Sequence, residues 1–290
     1  ACWAVVKNHT RIILFGLYPY ELQWRPAAAL TLVAAAPGAT AWLGLWRVRA
    51  LAAIWAAAIA AFVILMGGGV FGLQRVSGDS WGGLPLTVYV FLGTVGIGFP
   101  LAVALALGRN SATMPVIRWF CTMLIESVRA VPLLTVLFCA AVVVPLLVPG
   151  FFNPAKLNRV ILSLAVFYAC YQAEVIRGGF QGLPKGQFEA ARALGLRPWQ
   201  VMLFIVLPQA LRLTLPASVN LFVVAFKDTS MVVIVGLFDF VASANTTFSK
   251  DGWQPFFREI YILIAIVYLL ATGVIARLGS TFEKRLFRHG

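Results

Sequence analysis

The chain has little charge and almost no histidine. Only 11% of its 290 residues are charged, whereas 61% are hydrophobic. A soluble domain of this length needs a larger charged fraction to cover its surface, so the composition excludes a soluble globular protein and indicates an integral membrane protein. The two histidines, His9 and His289, are too few for a histidine-based metal site, and we predict no metal ion.

Cysteine is scarce as well, and it follows no motif. The four cysteines show no C-x-x-C spacing. Cys121, Cys139 and Cys170 lie in apolar runs, where a free thiol packs like a small apolar group. Cys2 lies outside these runs and could pair with a cysteine upstream of residue 1 if its side of the membrane is oxidising. We expect such an upstream segment because the chain begins with Ala1 rather than methionine.

The sequence also lacks the phosphate-binding motif G-x-x-x-x-G-K-[ST]. This absence excludes ATP binding by a P-loop on this chain. The net charge of +13 would suit a nucleic-acid-binding protein, but the basic residues flank apolar runs. Lys and Arg at such positions set the orientation of membrane helices, so membrane lipid is an expected partner and nucleic acid is not.

Long apolar runs predict an all-α polytopic membrane protein. A crossing needs about 20 apolar residues at a rise of about 1.5 Å each. Seven runs meet that length, and they cover residues 27–46, 50–72, 84–108, 114–148, 158–178, 211–238 and 256–278. The 114–148 run is too long for one straight helix. We therefore expect an interfacial lead-in, followed by a helix that is disturbed near Pro132 and ends near Pro145 and Pro149.

Lys and Arg also predict how these helices are oriented. With residues 183–208 placed inside the cell, thirteen basic residues of the connecting segments lie inside and eight lie outside. The inside residues are Arg47, Arg49, Arg109, Arg118, Arg177, Lys185, Arg192, Arg197, Arg212, Arg277, Lys284, Arg285 and Arg288. This asymmetry follows the positive-inside rule, so residue 1 is predicted outside and the C-terminus inside.

A polar, basic stretch from Leu183 to Pro208 separates two apolar runs. Residues 187–194 favour a helix, Gly195 can take the left-handed conformation that ends one, and Pro198 suits the first turn of another. Small, apolar and charged residues of the first helix could contact a partner protein; they are Lys185, Phe188, Glu189, Ala190, Ala191, Arg192, Leu194, Gly195 and Leu196. A basic amphipathic loop on the membrane surface is the alternative interpretation.

Several charged and polar side chains fall inside predicted spans, where a charge costs on the order of 3 kcal/mol or more. Lys227 and Asp228 lie near the middle of one span and point about 100° apart on a helix, so at least one of them needs a partner or a solute. Candidate pathway residues are Tyr168, Gln172, Lys227, Asp228, Thr229 and Ser230, with helix packing as the alternative. Two i, i+3 pairs, Glu126–Arg129 and Glu174–Arg177, are predicted to form structural bridges near an inner gate.

The pattern E-A-A, three residues, G, nine residues, I-x-L-P starts at Glu189 and resembles the cytoplasmic coupling loop of ABC importer permeases. VRAVPLL at 128–134, YQAEVIRGGFQGLPKGQFEAARALGL at 171–196 and KDTSMVVIVG at 227–236 resemble the polar amino-acid family of these permeases. The similarity covers residues 84–280, and Met231, in place of leucine, changes little in volume. The start, ACW…YPYELQWRP, is similar to the larger permease of broad-specificity L-amino-acid importers.

The resemblance implies a five-helix importer core preceded by a peripheral helix pair. The implied segments are a periplasmic or interfacial start at 1–25, the helix pair at 26–72, the core at 84–280 with its coupling loop at 183–208, and a cytoplasmic tail at 281–290. It further implies a permease of the bacterial inner membrane that moves polar L-amino acids and carries no catalytic residue and no cofactor of its own.

The same resemblance implies three protein partners. They are a second homologous permease subunit, an ATPase dimer that binds ATP and Mg, and a periplasmic amino-acid-binding protein. Two other hypotheses stay open from the residues alone. One is an ion-gradient-driven secondary transporter with Glu126, Glu174 or Asp228 as proton carrier, and the other is a non-transporting membrane scaffold.

Overall fold

The structure, a computed structural model, describes residues 3–42, 48–111, 113–148, 150, 154–249 and 252–287. Cys2, Arg47, Lys250, Arg288 and His289 lie outside the described residues. The described chain is almost entirely helical, as the composition predicts. Its α-helices are α1 (Ala4–Phe15), α2 (Trp24–Trp42), α3 (Val48–Gly67), α4 (Gly83–Arg109), α5 (Pro115–Ala130), α6 (Leu133–Phe138), α7 (Val144–Leu147), α8 (Lys156–Gln181), α9 (Lys185–Ala193), α10 (Pro198–Gln200), α11 (Leu207–Leu213), α12 (Leu215–Asp228), α13 (Phe240–Phe248) and α14 (Phe257–Phe287).

Tighter and wider helical turns connect several of these helices. The 3₁₀ segments are Tyr20–Leu22, Gly78–Ser80, Thr229–Val235 and Gln254–Phe256, and the π-helical segments are Cys139–Val143 and Val201–Val206. Among the described residues, β-type pairing is limited to one isolated parallel bridge between Gly83 and Asp239.

Four helical segments are long and apolar enough to cross a membrane: Gly83–Arg109, Lys156–Gln181, Leu215–Val235 and Gln254–Arg285. They overlap the predicted runs 84–108, 158–178, 211–238 and 256–278. The first three agree to within four residues at each end, and the fourth extends seven residues beyond its predicted end. Helices α5 and Leu133–Leu147 pass the same test as a bent pair, which gives at most five crossings in the described chain. The apolar part of α3, Ala53–Gly67, is shorter than these four segments. The predicted number of seven crossings is therefore not confirmed.

The predicted disturbance near Pro132 is confirmed. Helix α5 ends at Ala130, and Val131 is extended with φ −105° and ψ 136°, as the residue before a proline prefers. The next helix starts at an angle of 105° to α5. The predicted end near Pro145 and Pro149 is confirmed as well, because α7 ends at Leu147, between these two positions. Pro145 itself lies in the first turn of α7, where a missing N–H is tolerated.

The described chain forms two compact units. The first contains residues 1–92, 154–157 and 226–270, and the second contains 93–153, 158–225 and 271–290. This partition does not test the predicted segments 1–25, 26–72, 84–280 and 281–290, which stay predictions.

In the first unit the N-terminal helix packs onto α13 and α14 through buried apolar side chains. These are Val5 and Ile13 of α1, Phe240 and Ala244 of α13, and Ile260 of α14. Residues 1–25 therefore include a packed helix, although the sequence predicted only an interfacial segment. Mixed polarity along α1 reflects one buried stripe and one exposed face, which is the pattern of an amphipathic helix.

A buried arginine joins the start of α2 to the end of α3. The side chain of Arg25 is fully buried. Its Nε donates to the Leu65 carbonyl at 2.6 Å and its Nη1 to the Gln74 carbonyl at 2.8 Å. The hydroxyl of Tyr18 donates to the Met66 carbonyl at 2.9 Å. These donors satisfy carbonyls at and just beyond the C-terminal end of α3, which the helix itself leaves unpaired. Burial raises the pKa of Tyr18, so the phenol stays a donor.

Helix α13 starts at a buried carboxyl group. The side chain of Asp239 accepts from the backbone N–H of Val241 at 3.2 Å and of Ala242 at 2.9 Å, as an N-cap residue does. Burial raises its pKa to about 6, although these N–H donors oppose the shift. The Thr87 hydroxyl accepts from the Phe240 N–H at 3.0 Å, which fixes α13 to the N-terminal part of α4.

The second unit is held together by one apolar cluster that draws on several helices. It includes Ala102 of α4, Ile125 of α5, Ile176 of α8, Ala191 of α9 and Ala210 of α11, all of them buried. Small residues are frequent in this cluster, and they allow the helix backbones to approach closely. The stretch from Leu183 to Pro208 is thus fixed to the same core as the helices around it.

Candidate functional site

The predicted helix, glycine turn and helix is present between Lys185 and Gln200. Helix α9 is followed by Gly195 with φ +75°, a left-handed conformation that favours glycine. The Gly195 N–H donates to the Arg192 carbonyl at 2.9 Å and the Leu196 N–H to the Ala191 carbonyl at 3.3 Å. These two bonds are the pair that defines a Schellman motif. The glycine in the pattern therefore ends α9 and reverses the chain at a fixed point.

Helix α9 has one face that packs on its own protein and one that is exposed. Ala191 is buried, and Phe188 and Leu196 pack against the cluster of the second unit. On the opposite side Glu189 and Ala190 are exposed. Gly186 and Ala193 are exposed on the same side. The result is an outward surface of small residues with one carboxylate, which a partner can approach closely.

This division corrects part of the sequence prediction. We expected both alanines to admit a partner and three apolar residues to face it. Ala191, Phe188 and Leu196 face the core of this chain instead. Leu194 is the large apolar residue of that set that is exposed, with 81% of its surface accessible. The sequence could not show which of the two alanines is buried, because adjacent alanines of a helix differ only in the direction in which their side chains point.

Exposed side chains continue beyond the turn. Gln200 accepts from the Arg197 N–H at 2.8 Å and thereby caps α10. Trp199 is exposed, and its ring centroid lies 6.0 Å from that of exposed Phe204. A cleft of about 510 Å³ opens between this segment, α9 and the end of α4, and its lining includes Phe188, Arg192 and Trp199.

The predicted ionic residues form one network centred on Glu174. Its carboxylate lies 3.0 Å from Arg109 Nη1 and 3.7 Å from Arg129 Nη1. It also forms the predicted i, i+3 bridge to Arg177. The second predicted bridge is wrong: Glu126 pairs with Arg109 at 2.9 Å rather than with Arg129. The reason is that Arg129 turns toward Glu174 and stacks over the Tyr171 ring at 5.4 Å.

Arg109 connects this network, and the sequence analysis did not assign it a site role. It is the last residue of α4, and its guanidinium reaches Glu126 on α5 and Glu174 on α8. A fork with several donors can bridge two carboxylates in this way. The available signal was an arginine directly after a long apolar run, next to two spans that each carry a glutamate near one end.

Two of the predicted pathway residues lie side by side in the second unit. Tyr168 and Gln172 are buried one turn apart on α8. The Gln172 side-chain amide donates to the Ser218 hydroxyl on α12 at 2.6 Å. The Gln172 carbonyl oxygen and the nearby Thr94 hydroxyl are buried without a hydrogen-bond partner among the described residues. Tyr168, Gln172 and Thr94 line a cavity of about 10 Å³, which has room for one water molecule at most in this conformation. Ser218 and Thr94 were not predicted, because single hydroxyls carry no pattern.

The other four predicted pathway residues lie in the first unit, where the helix geometry changes. Helix α12 ends at Asp228 and continues as a 3₁₀ segment. The hydroxyls of Thr229 and Ser230 donate to the carbonyls of Phe226 and Lys227, at 2.7 and 2.9 Å. Thr229 is buried and Lys227 is exposed, so the two do not face the same environment.

Comparison with known proteins agrees with this architecture. Residues 96–288 match the family described as binding-protein-dependent transport system inner membrane component. The chain is 37% identical, over 98% of its length and 78% of the relative's, to the inner membrane amino-acid ABC transporter permease protein YhdY of Escherichia coli strain K12. It is 32% identical, over 99% of its length and 79% of the relative's, to the glutamate/glutamine/aspartate/asparagine transport system permease protein BztC of Rhodobacter capsulatus.

A solved structure shares the fold of this chain over 70% of its length. It is described as an amino acid ABC transporter with histidines, and it aligns with a TM-score of 0.60 at 32% identity, over 70% of this chain and 91% of that one. Since the family match covers most of the chain and the relatives span nearly all of it, the chain belongs to the binding-protein-dependent transport system inner membrane components, the multi-pass permeases of ABC importers.

Proposed function

We propose that this chain is the permease subunit of an ATP-driven importer that moves polar L-amino acids across the bacterial inner membrane. The relatives support the substrate class, because the name of one of them specifies glutamate, glutamine, aspartate and asparagine. The proposal includes a separate ATPase dimer that binds ATP and Mg, a second permease subunit and a periplasmic amino-acid-binding protein. In this arrangement the 183–208 segment and the C-terminus lie in the cytoplasm.

The two-sided packing of α9 is the observation that carries the coupling role. Its inward residues, Phe188 and Ala191, belong to the same apolar cluster as α4, α5, α8 and α11. Close-packed interiors transmit displacement rather than absorb it. A force applied to the exposed Glu189 and Ala190 therefore moves the helices beneath. The Schellman turn at Gly195 holds the end of α9 in place while the force acts.

The transport cycle follows from this connection. ATP binding closes the ATPase dimer, which shifts α9 and turns the permease from inward-open to outward-open. Hydrolysis then resets the equilibrium between the two states. The ATPase residues that contact α9 also fill the neighbouring 510 Å³ cleft, since Arg192 and Trp199 extend the exposed surface into it.

We assign the solute path to the polar side chains within the spans. Tyr168 and Gln172 supply hydrogen bonds in the second unit, and Lys227, Asp228, Thr229 and Ser230 supply charge and hydroxyl groups in the first. Polar groups at membrane depth most often serve such a path. Amino-acid uptake by an Asp228→Asn variant tests the assignment, and unchanged uptake for every substrate would remove Asp228 from the path.

Replacement of Ala190 tests the coupling role directly. Ala190→Trp should leave the chain folded, because the residue is exposed, but should block close approach of the ATPase. We expect amino-acid uptake by the reconstituted complex to fall at least about tenfold, which corresponds to about 1.4 kcal/mol. Ala190→Ser, which keeps a small side chain, is the matched control. Normal uptake and normal ATPase co-purification by the tryptophan variant would contradict the docking role.

The same vesicles discriminate the competing mechanism. A secondary transporter would accumulate amino acids from an imposed proton gradient without ATP or an ATPase subunit. We expect no such accumulation. If it occurs, the ATP-driven proposal is wrong, and substitution of Glu126, Glu174 or Asp228 then identifies the proton carrier.

A further inference from the structure

We propose that α5, together with the ends of α4 and α8, binds the phosphate headgroup of an anionic phospholipid. A cavity of about 420 Å³ opens there, entirely within the second unit. Its lining includes three guanidinium groups, those of Arg109, Arg118 and Arg177. Trp119 and Thr122 line it as well. A concave site with several guanidinium groups is suited to a phosphate oxyanion.

The side chains around the cavity carry more positive than negative charge. Arg109 and Arg177 pair with Glu174, and Arg109 also pairs with Glu126. Arg118 forms no salt bridge within the part of the chain that the structure describes. With Arg129 included, four arginines face two glutamates, which leaves two uncompensated positive charges. A phosphodiester headgroup compensates one of these charges, and a phosphomonoester compensates about two.

The start of α5 adds backbone donors to this charge. The helix has 16 residues and no side-chain cap at its N-terminus. The first helical residue, Pro115, has no N–H, and the Arg118 N–H already donates to the Met114 carbonyl at 3.0 Å, so the N–H groups of Val116 and Ile117 are the ones left for an anion in this turn. The helix dipole favours negative charge at the same end. Arg118 lies in the first turn, so its guanidinium and these N–H groups can reach one ligand.

The cavity lies at a membrane surface. Arg109 ends the apolar helix 83–109, and Arg177 lies in the last turns of the apolar helix 156–181. Helix α5 is bent by 105° from the helix that follows it. If that following helix crosses the membrane, α5 lies close to the membrane plane, at the level of the headgroups. The predicted interfacial lead-in of the 114–148 run has this position.

An exposed apolar stripe distinguishes a lipid from a small anion. Val116, Phe120 and Met123, at spacings of i, i+4 and i+7, are exposed, Val116 by 76%. Cys121 and Ile125 point the other way, into the core. Acyl chains can cover the stripe while the headgroup fills the cavity, as on other interfacial amphipathic helices. Trp119, exposed between stripe and cavity, suits the headgroup level. A free phosphate would use the cavity and leave the stripe uncovered.

Lipid retention by the purified protein tests the site. The full chain, alone and in complex with its transporter partners, is delipidated in detergent and incubated with phosphatidylglycerol or phosphatidylcholine. Native mass spectrometry then measures the bound lipid. We expect preferential binding of phosphatidylglycerol, and a decrease of about tenfold in its affinity for Arg118→Gln, because one charge-assisted contact is lost. Arg118 is exposed, so the variant should fold, and its thermal midpoint checks this.

Arg212→Gln is the matched control, since it removes an exposed arginine of α11 that does not line the cavity. It should bind phosphatidylglycerol like the wild type. An equal loss of phosphatidylglycerol affinity in both variants would show that general surface charge causes the binding, and it would overturn the proposed site. If inorganic phosphate or glycerol phosphate displaces the lipid at concentrations comparable to its own, the site binds a small anion and not a phospholipid. Binding by the isolated chain that disappears in the complex would show that a partner subunit covers the stripe, which also overturns the proposal.

Discussion

Glu174 and Glu126 offer a comparison of two carboxylates in one network. Replacement of each by glutamine keeps shape and removes charge. Glu174 contacts three guanidinium groups and has 21% of its side chain exposed. Glu126 contacts one and has 54% exposed. The two glutamates belong to one network and the two substitutions are chemically identical, so a difference in stability reports burial and partner number.

The expected magnitudes follow from that difference. Breaking a fully buried ion pair costs about 3–5 kcal/mol, and an exposed pair contributes about 0.2–1 kcal/mol. Glu174 lies between these limits, and its loss also leaves Arg109, Arg129 and Arg177 to repel one another. We therefore expect Glu174→Gln to lower the free energy of unfolding by about 2 kcal/mol. Glu126→Gln should cost less than about 1 kcal/mol, because its pair is mostly in solvent.

Thermal unfolding in detergent measures both variants. At about 2 °C for each kcal/mol in a chain of this size, Glu174→Gln should lower the midpoint by about 4 °C and Glu126→Gln by at most about 2 °C. The effect of Glu174→Gln should weaken at high salt less than that of Glu126→Gln, because screening acts mainly on exposed pairs. Equal midpoints for the two variants, or a larger effect at Glu126, would refute the view that Glu174 is the centre of the network.

Two further predictions concern packing and pH. Gly179→Ala should destabilise the chain by about 1–3 kcal/mol, since the new Cβ would lie 2.6 Å from a methyl group of Thr214. Gly178→Ala meets no atom within 4 Å and should be neutral or stabilising by up to about 1 kcal/mol. The thermal midpoints of the two variants compare these effects, and equal losses of stability would contradict the packing around Gly179. Burial raises the pKa of Asp239 from 3.8 to about 6, so the folded state holds this proton more tightly and the stability due to it is lost as pH rises from about 4 to about 6. The midpoint of the wild type relative to Asp239→Asn should thus rise as pH falls from 7 to 5, and parallel pH profiles would show that Asp239 does not titrate in this window.

The strongest periodic signals predicted the fold well. Apolar runs located four candidate crossings, three of them to within four residues at each end, because a membrane span must be continuous and apolar. Pro132 marked a break because the residue before a proline avoids the helical conformation. The mixed polarity of residues 1–25 was less informative, since the partner of α1 is α13, which lies more than 200 residues later in the sequence. Long-range pairing of this kind leaves no local pattern.

The sequence predicted the features of the site that depend on residue spacing along the chain. It did not predict those that depend on which neighbouring helix a side chain points toward. Gly195 follows from the turn that ends α9, and the Glu174–Arg177 bridge follows from helical spacing. The Glu126–Arg129 bridge failed although its spacing is the same. Arg109 and Arg129 can each reach glutamates on two helices, and the arrangement of those helices determines which ion pairs form.

The connection between α9 and the Glu174 network joins the two parts of the candidate site. Gly182, Leu183 and Pro184 link the last residue of α8 to the first residue of α9. Glu174 lies two turns before the end of α8, so in the proposed coupling a displacement of α9 would be passed to its carboxylate through only three linking residues. Several weak, partly exposed ion pairs suit that position better than one buried pair, because each can exchange partners at a cost of about 1 kcal/mol. A permease that alternates between two states needs contacts that hold each state and still release it, and Arg109, shared between two glutamates, has the geometry for such an exchange.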